Sequence, residues 1–99
     1  MAQPIYKVLQ LRPSHAWYQL SQEEQGNLLA KVDEARGKVG GKTIILCNSG
    51  WCSDQWQVWD VEQFPDLEAV QKHTALLNEL NWFQYCESVS LLGTEWQPS

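Results

Sequence analysis

With 99 residues, 43% of them hydrophobic, this chain has apolar material for one small core and too much for general disorder. A formal charge of −5, from 7 basic and 12 acidic side chains without a basic cluster, argues against nucleic acid and against an anionic membrane surface as partners. No stretch approaches a membrane span or a signal peptide, so the expected compartment is cytoplasmic, and three Cys without framework spacing agree with reduced thiols.

Six Trp is the unusual count. Rings this wide suit a core, a pocket lining or a subunit interface. Taken in order, Ile5 to Leu11 reads as a first strand, with Ile5, Lys7, Leu9 and Leu11 on one side and Tyr6, Val8 and Gln10 on the other. Arg12-Pro13 ends it, because proline cannot donate to a ladder. Ser14 to Leu20 is an aromatic link carrying His15, Trp17 and Tyr18, expected to fold back onto the body. Ser21 and Glu24 have capping-box spacing at the head of a helix. That helix continues through Leu28, Leu29, Val32, Ala35 and Val39 at helical spacing, and Gly40-Gly41 stops it.

Lys42 to Cys47 is an apolar, β-branched second strand with little alternation, which predicts cover on both faces. Asn48-Ser49-Gly50 is turn material, and a third strand starts between Trp51 and Gln55 as the antiparallel neighbour of the second. It places Trp56, Val58 and Asp60 on one face and Gln55, Gln57, Trp59 and Val61 on the other, and ends at the acidic turn from Glu62. Pro65 fits the first turn of a second helix, with Asp66 and Glu68 near its positive end. Leu67, Val70, Thr74 and Leu77 form one stripe; Ala69, His73, Leu76 and Leu80 form the next. Asn81-Trp82-Phe83 interrupts the pattern, Tyr85 to Leu92 is the last strand, and Gly93 closes it.

The order β-α-β-β-α-β predicts an α+β, ferredoxin-like fold with a four-stranded antiparallel sheet, as a single domain over residues 1–99. Right-handed crossovers place both helices on one side of it. Neither face of the central strands is plainly polar, so a second copy of the chain is expected to cover the free face.

Three phrases then resemble a known group. Trp56-Gln57-Val58-Trp59-Asp60-Val61-Glu62, Asp66-Leu67-Glu68-Ala69-Val70-Gln71-Lys72-His73 and Ser88-Val89-Ser90-Leu91-Leu92-Gly93 look like the dimeric α/β-barrel superfamily, a resemblance that spans about the whole chain. The stretch from Leu11 to Ser21 resembles darcynin-type small proteins. The superfamily resemblance implies a homodimer with facing sheets, forming a dimeric α/β barrel. It also implies a cavity between sheet and helices for a small apolar or aromatic molecule. The chemistries it brings are cofactor-free: monooxygenation of aromatic polyketides, lactone isomerisation or cyclisation. Larger relatives use haem; for so short a chain no cofactor is expected.

His73, in the second helix, is the position onto which a family histidine carries over. On its own residues it is either a neutral acid–base group or an imidazole bonded to the sheet. His15, just past a strand end, is either a catalytic rim group or ordinary loop packing. Trp56 and Asp60 share a strand face that suits a flat ligand, with Asp60 also readable as a turn carboxylate. Tyr6 and Tyr85 offer phenols to a ligand oxygen or serve as core rings. Cys47, Cys52 and Cys86 read as small buried thiols. No zinc motif or phosphate-binding loop is present, so no metal is expected. Two functions follow: a cofactor-independent enzyme of monooxygenase or isomerase type on a small apolar or aromatic metabolite, or a non-catalytic homodimeric domain that binds a ligand or a protein.

Overall fold

The elements, in a computed structural model that describes residues 3–97, are β1 (Ile5–Pro13), α1 (His15–Tyr18), α2 (Gln22–Lys38), β2 (Lys42–Asn48), β3 (Val58–Phe64), α3 (Leu67–Glu79), α4 (Trp82–Tyr85) and β4 (Cys86–Gly93). The strands form one antiparallel sheet in the order β2-β3-β1-β4. This is the ferredoxin-like arrangement, with the short helices α1 and α4 added. In the centre β1 pairs with β3, from Ile5 opposite Phe64 to Leu11 opposite Val58, and with β4, from Tyr6 opposite Gly93 to Pro13 opposite Cys86.

Local chemistry sets the element ends. The Glu24 amide donates to Ser21 Oγ at 3.1 Å, and the Ser21 amide donates to Glu24 Oε1 at 2.9 Å, which completes the capping box of α2. After α2, Gly40 takes φ 77°, and the Gly41 amide returns to the Arg36 carbonyl at 2.9 Å. Only glycine enters that left-handed region without strain. At α3 the cap is Asp66, whose Oδ1 accepts from the Ala69 amide at 2.8 Å, so Pro65 precedes the cap and does not open the first turn. Asn81 turns the chain from α3 into α4 with φ 57°, a value its short amide side chain tolerates.

Three expectations need correction. Closure into a barrel does not occur: β2 and β4 are the two outer strands of an open sheet. And β2 is not covered on both faces; Ile44, Ile45 and Leu46 are all exposed. Its β-branched composition reflects preference for a pleated backbone, which an outer strand satisfies as well as a buried one. β3 is also displaced, since it starts at Val58 and runs through Glu62 to Phe64 rather than ending at Val61.

The helices α2 and α3 cover one side of the sheet and leave the core in two pieces. At one end Phe64, Ala69 and Val70 pack with Ile5 and Val39. At the other Val32, Leu77, Trp82 and Cys86 pack with Leu11, Trp17, Leu28 and Leu80. The Trp17 ring meets Trp82 edge-on at 6.2 Å, which anchors the aromatic link after β1. The opposite side of the sheet has no helix. Ile45, Val61, Val8 and Leu91 stand in register across all four strands there, with Cys47, Trp59, Gln10 and Val89 beside them. Leu91 is 73% exposed and Val89 54%.

Candidate functional site

The gap between the two core pieces is occupied by charge. On β3, strict alternation sends Val58, Asp60, Glu62 and Phe64 toward the helices. On β1 the same parity sends Ile5, Lys7, Leu9 and Leu11 there, with Lys7 opposite Glu62 and Leu9 opposite Asp60. Three ionisable side chains thus occupy neighbouring positions on the covered face of the two central strands. From above, α3 brings His73, whose ring sits 5.1 Å from that of Phe64. From α2, Arg36 reaches down.

Burial is deep: Lys7 is 8% exposed, Asp60 6%, Glu62 2% and His73 2%. Such groups survive in a core only when paired or hydrogen-bonded. Arg36 supplies one pair, its Nε donating to Glu62 Oε2 at 2.9 Å while its Nη1 donates to Asp33 Oδ1 at 2.7 Å. Burial opposes the guanidinium charge, but these two carboxylates outweigh it and hold Arg36 above its ordinary value. The rest are less well served. Both ring nitrogens of His73 are buried with no protein partner among the described residues, and Asp60 Oδ1 and Glu62 Oε1 lack one while both carboxyls are ionised; protonated Asp60 bonds to Glu62. A group left without a partner costs about 1–3 kcal/mol, so an imidazole with neither nitrogen satisfied invites an explanation.

The same residues line a cavity of about 360 Å³ between the sheet and the helices. Leu9, Leu11, Val32, Leu77 and Trp82 make apolar walls around the polar floor. Leu29, Leu46 and Phe83 also line it and are exposed, so it communicates with solvent on their side. Burial, and then the neighbouring Glu62 carboxylate, push the Asp60 carboxyl up to about 7. Burial, with Lys7 and Arg36 adding to it against the attraction of Glu62, pushes the His73 imidazole down to about 4. Near neutrality the floor therefore offers a neutral imidazole with one N–H and one bare nitrogen, and a carboxyl divided between its two forms. Beside them stand an ammonium at Lys7 and a carboxylate oxygen at Glu62.

Of the residues singled out from the sequence, His73 and Asp60 meet at this floor. The others lie elsewhere. Tyr6 stands on the helix-free side of the sheet, opposite Gln63. His15 is exposed, its Nε2 3.3 Å from Gln19 Nε2. Trp56 precedes β3, half-buried, with the Arg12 guanidinium 5.2 Å from its ring centre. Tyr85 ends α4, and its carbonyl accepts from the Ser14 amide at 2.9 Å. Lys7, Glu62 and Arg36 escaped the sequence reading. The available signal was parity: Lys7 sits between Ile5 and Leu9 on one strand face, and Glu62 between Asp60 and Phe64. Ending β3 at Val61 hid the second of these. Among the described residues no group of three or more His, Cys, Asp or Glu is placed to hold a metal ion, and no helix is long and apolar enough to cross a membrane.

Fold and site together define a ferredoxin-like α+β domain with a polar-floored cavity beneath its helices. No family model and no curated protein matches the chain. Solved structures do match. A chlorite dismutase variant from Candidatus Nitrospira defluvii superposes with a TM-score of 0.76 at 15% identity, over 99% of this chain and 42% of that one. Chlorite dismutase from the same organism in complex with imidazole gives 0.66 at 17%, over 97% and 41%. This chain thus spans less than half the length of those proteins. A dimeric protein of unknown function with a ferredoxin-like fold, from Bacteroides fragilis, matches along almost its full length, with 93% and 96% covered, a TM-score of 0.51 and 12% identity. Identities this low show the fold alone. The resemblance to dimeric α/β barrels and to darcynin-type proteins is therefore corrected to a shared ferredoxin-like topology with an open sheet.

Proposed function

We propose that this chain is a homodimeric binding domain whose cavity between sheet and helices takes a small, mainly apolar molecule with one polar end. The observation that carries the reading is the coincidence of a cavity of about 360 Å³ with a buried polar floor on which neither ring nitrogen of His73 has a protein partner among the described residues. Small-molecule sites characteristically combine apolar walls with a few convergent polar groups, in volumes of roughly 300–1,000 Å³. The apolar, helix-free side of the sheet supports pairing with a second copy, and a protein of the same fold is dimeric.

The test is a fluorescence titration with N-phenyl-1-naphthylamine, a neutral apolar dye. Wild-type protein is expected to bind it and to gain thermal stability with it. Val58→Phe, which adds bulk to the cavity wall, is expected to weaken binding at least tenfold while keeping the circular dichroism spectrum. Absence of dye binding, or equal binding by the variant, removes the reading.

A second reading, a cofactor-independent enzyme of isomerase type, is favoured by one observation. Asp60, near 7, lines the cavity and can take up or release a proton near neutral pH, and neutral His73 lines the same cavity. Its test is loss of solvent-proton exchange into a bound carbonyl compound in His73→Gln.

A further inference from the structure

Lys7 is the group at this site that neither the fold nor the ion pairing uses. It is 8% exposed, it lines the cavity, and among the described residues no carboxylate oxygen lies within 4.0 Å of its ammonium. Its cross-strand neighbour Glu62 is held by Arg36 at 2.9 Å, on the α2 side of the floor. Arg36 also takes Asp33, whose side chain is 77% exposed and so spends its charge largely in water. The remaining carboxyl, Asp60, lies one alternate position further along β3, and burial favours its neutral form. Lys7 and Arg36 therefore face the adjacent carboxyls Glu62 and Asp60, and among the described residues only Arg36 is paired, to Glu62. The Lys7 amine faces the cavity without an ion-pair partner there, so the space beside it suits a ligand that brings the opposite charge.

We infer that the cavity selects an apolar monocarboxylate, whose charged end docks on Lys7 beside the His73 N–H while its hydrocarbon part lies along Leu9, Leu11, Val32 and Leu77. This rests on the cavity being a ligand site. Glu62 Oε1 is the one floor atom that opposes an anion. Its carboxylate is already neutralised through Oε2 by Arg36, which leaves Lys7 as the cation still to be paired. In the other direction, a cationic ligand would bring a third positive charge into the same enclosure.

The experiment is displacement of bound N-phenyl-1-naphthylamine at about pH 6.5 by three probes of one shape and different charge: 2-naphthoate, 2-naphthamide and 2-naphthylmethylammonium. Naphthoate is expected to compete at least tenfold more strongly than the amide, with the ammonium weakest. In Lys7→Met the ratio of naphthoate to amide competition, each referred to that variant's own dye affinity, is expected to fall to about one; Lys7→Gln serves if the Met variant does not fold, and Lys7→Arg is expected to restore part of the preference. Equal or better competition by the amide or the ammonium overturns anion selection, as does preference unchanged in Lys7→Met. Dye binding without displacement by naphthoate overturns it too and leaves the cavity reading standing. Failure of the dye itself to bind removes both.

Discussion

Replacing Arg36 by Met tests whether the seam between the two core pieces is held by the Arg36–Glu62 pair. Met keeps the unbranched stem that lies over Gly41, where the Arg36 Cγ approaches closely, and removes only the guanidinium. Glu62, 2% exposed, then loses its donor at 2.9 Å and stands buried next to Asp60. Breaking a buried pair from one side costs about 3–5 kcal/mol, because the surviving charge is stranded in low dielectric. In a domain of this length that corresponds to a fall in Tm on the order of 20 °C. Urea denaturation followed by circular dichroism at about pH 7.5 and fixed protein concentration reads it directly. The double variant Arg36→Met with Glu62→Gln is expected to recover most of the loss, since the amide leaves no charge to strand. A single-variant loss below about 1 kcal/mol, or a double variant as unstable as the single, would refute the view that this pair is buried and coupled.

The pH dependence separates Asp60 from His73. His73 has a folded value of about 4 against 6.5 unfolded, so its contribution is complete above 6.5 and is lost as pH falls toward 4. Asp60 has a folded value of about 7 against 3.8, so its contribution is complete below 3.8 and is lost as pH rises through 7. The two slopes oppose each other between about 4 and 6.5 in the wild type. Asp60→Asn is expected to expose the His73 slope and lose up to about 3 kcal/mol on acidification across that window; His73→Phe is expected to gain stability over it, and a flat profile in both variants would exclude the assignment. On the helix-free sheet side, the proposed dimer is expected to form in the wild type and to give way to a single chain in Leu91→Lys, by light scattering at micromolar concentration with the circular dichroism spectrum undisturbed; a wild type that is a single chain refutes the pairing, and a dimer that survives the substitution pairs elsewhere. Ser21→Ala removes the α2 cap and is expected to cost about 1 kcal/mol in urea denaturation, with no effect on dye binding.

What the sequence disclosed was whatever rests on local pattern. The capping box at Ser21 and Glu24, the stop at Gly40, the succession of elements along the chain and the antiparallel pairing of β2 with β3 all follow from neighbouring residues and connections close in sequence. His73 and Asp60 were legible as candidates because a titratable group among apolar neighbours stands out. Their meeting was not, for it depends on how α3 lies over the sheet. Lys7 was hidden because a charge on a strand reads as solvent-facing by default, a rule this floor reverses on the covered side, and Glu62 because it was read as part of a turn. The exposure of Ile44, Ile45 and Leu46 was equally invisible: composition distinguishes strand from helix there, but lateral position in the sheet is set by non-local pairing.

That lateral position has a cost in concentrated solution. The outermost backbone of β2 offers amide and carbonyl groups that no strand of its own chain uses, next to a run of branched aliphatic side chains, and β4 leaves a similar fringe on the far flank. Growth by joining one fringe to the other would have no natural end point and would yield fibres. Lys42, at the entrance to β2, and the irregularity between Thr43 and Ile45 are the features that frustrate such growth, so substitutions there are the ones to watch for turbidity during purification.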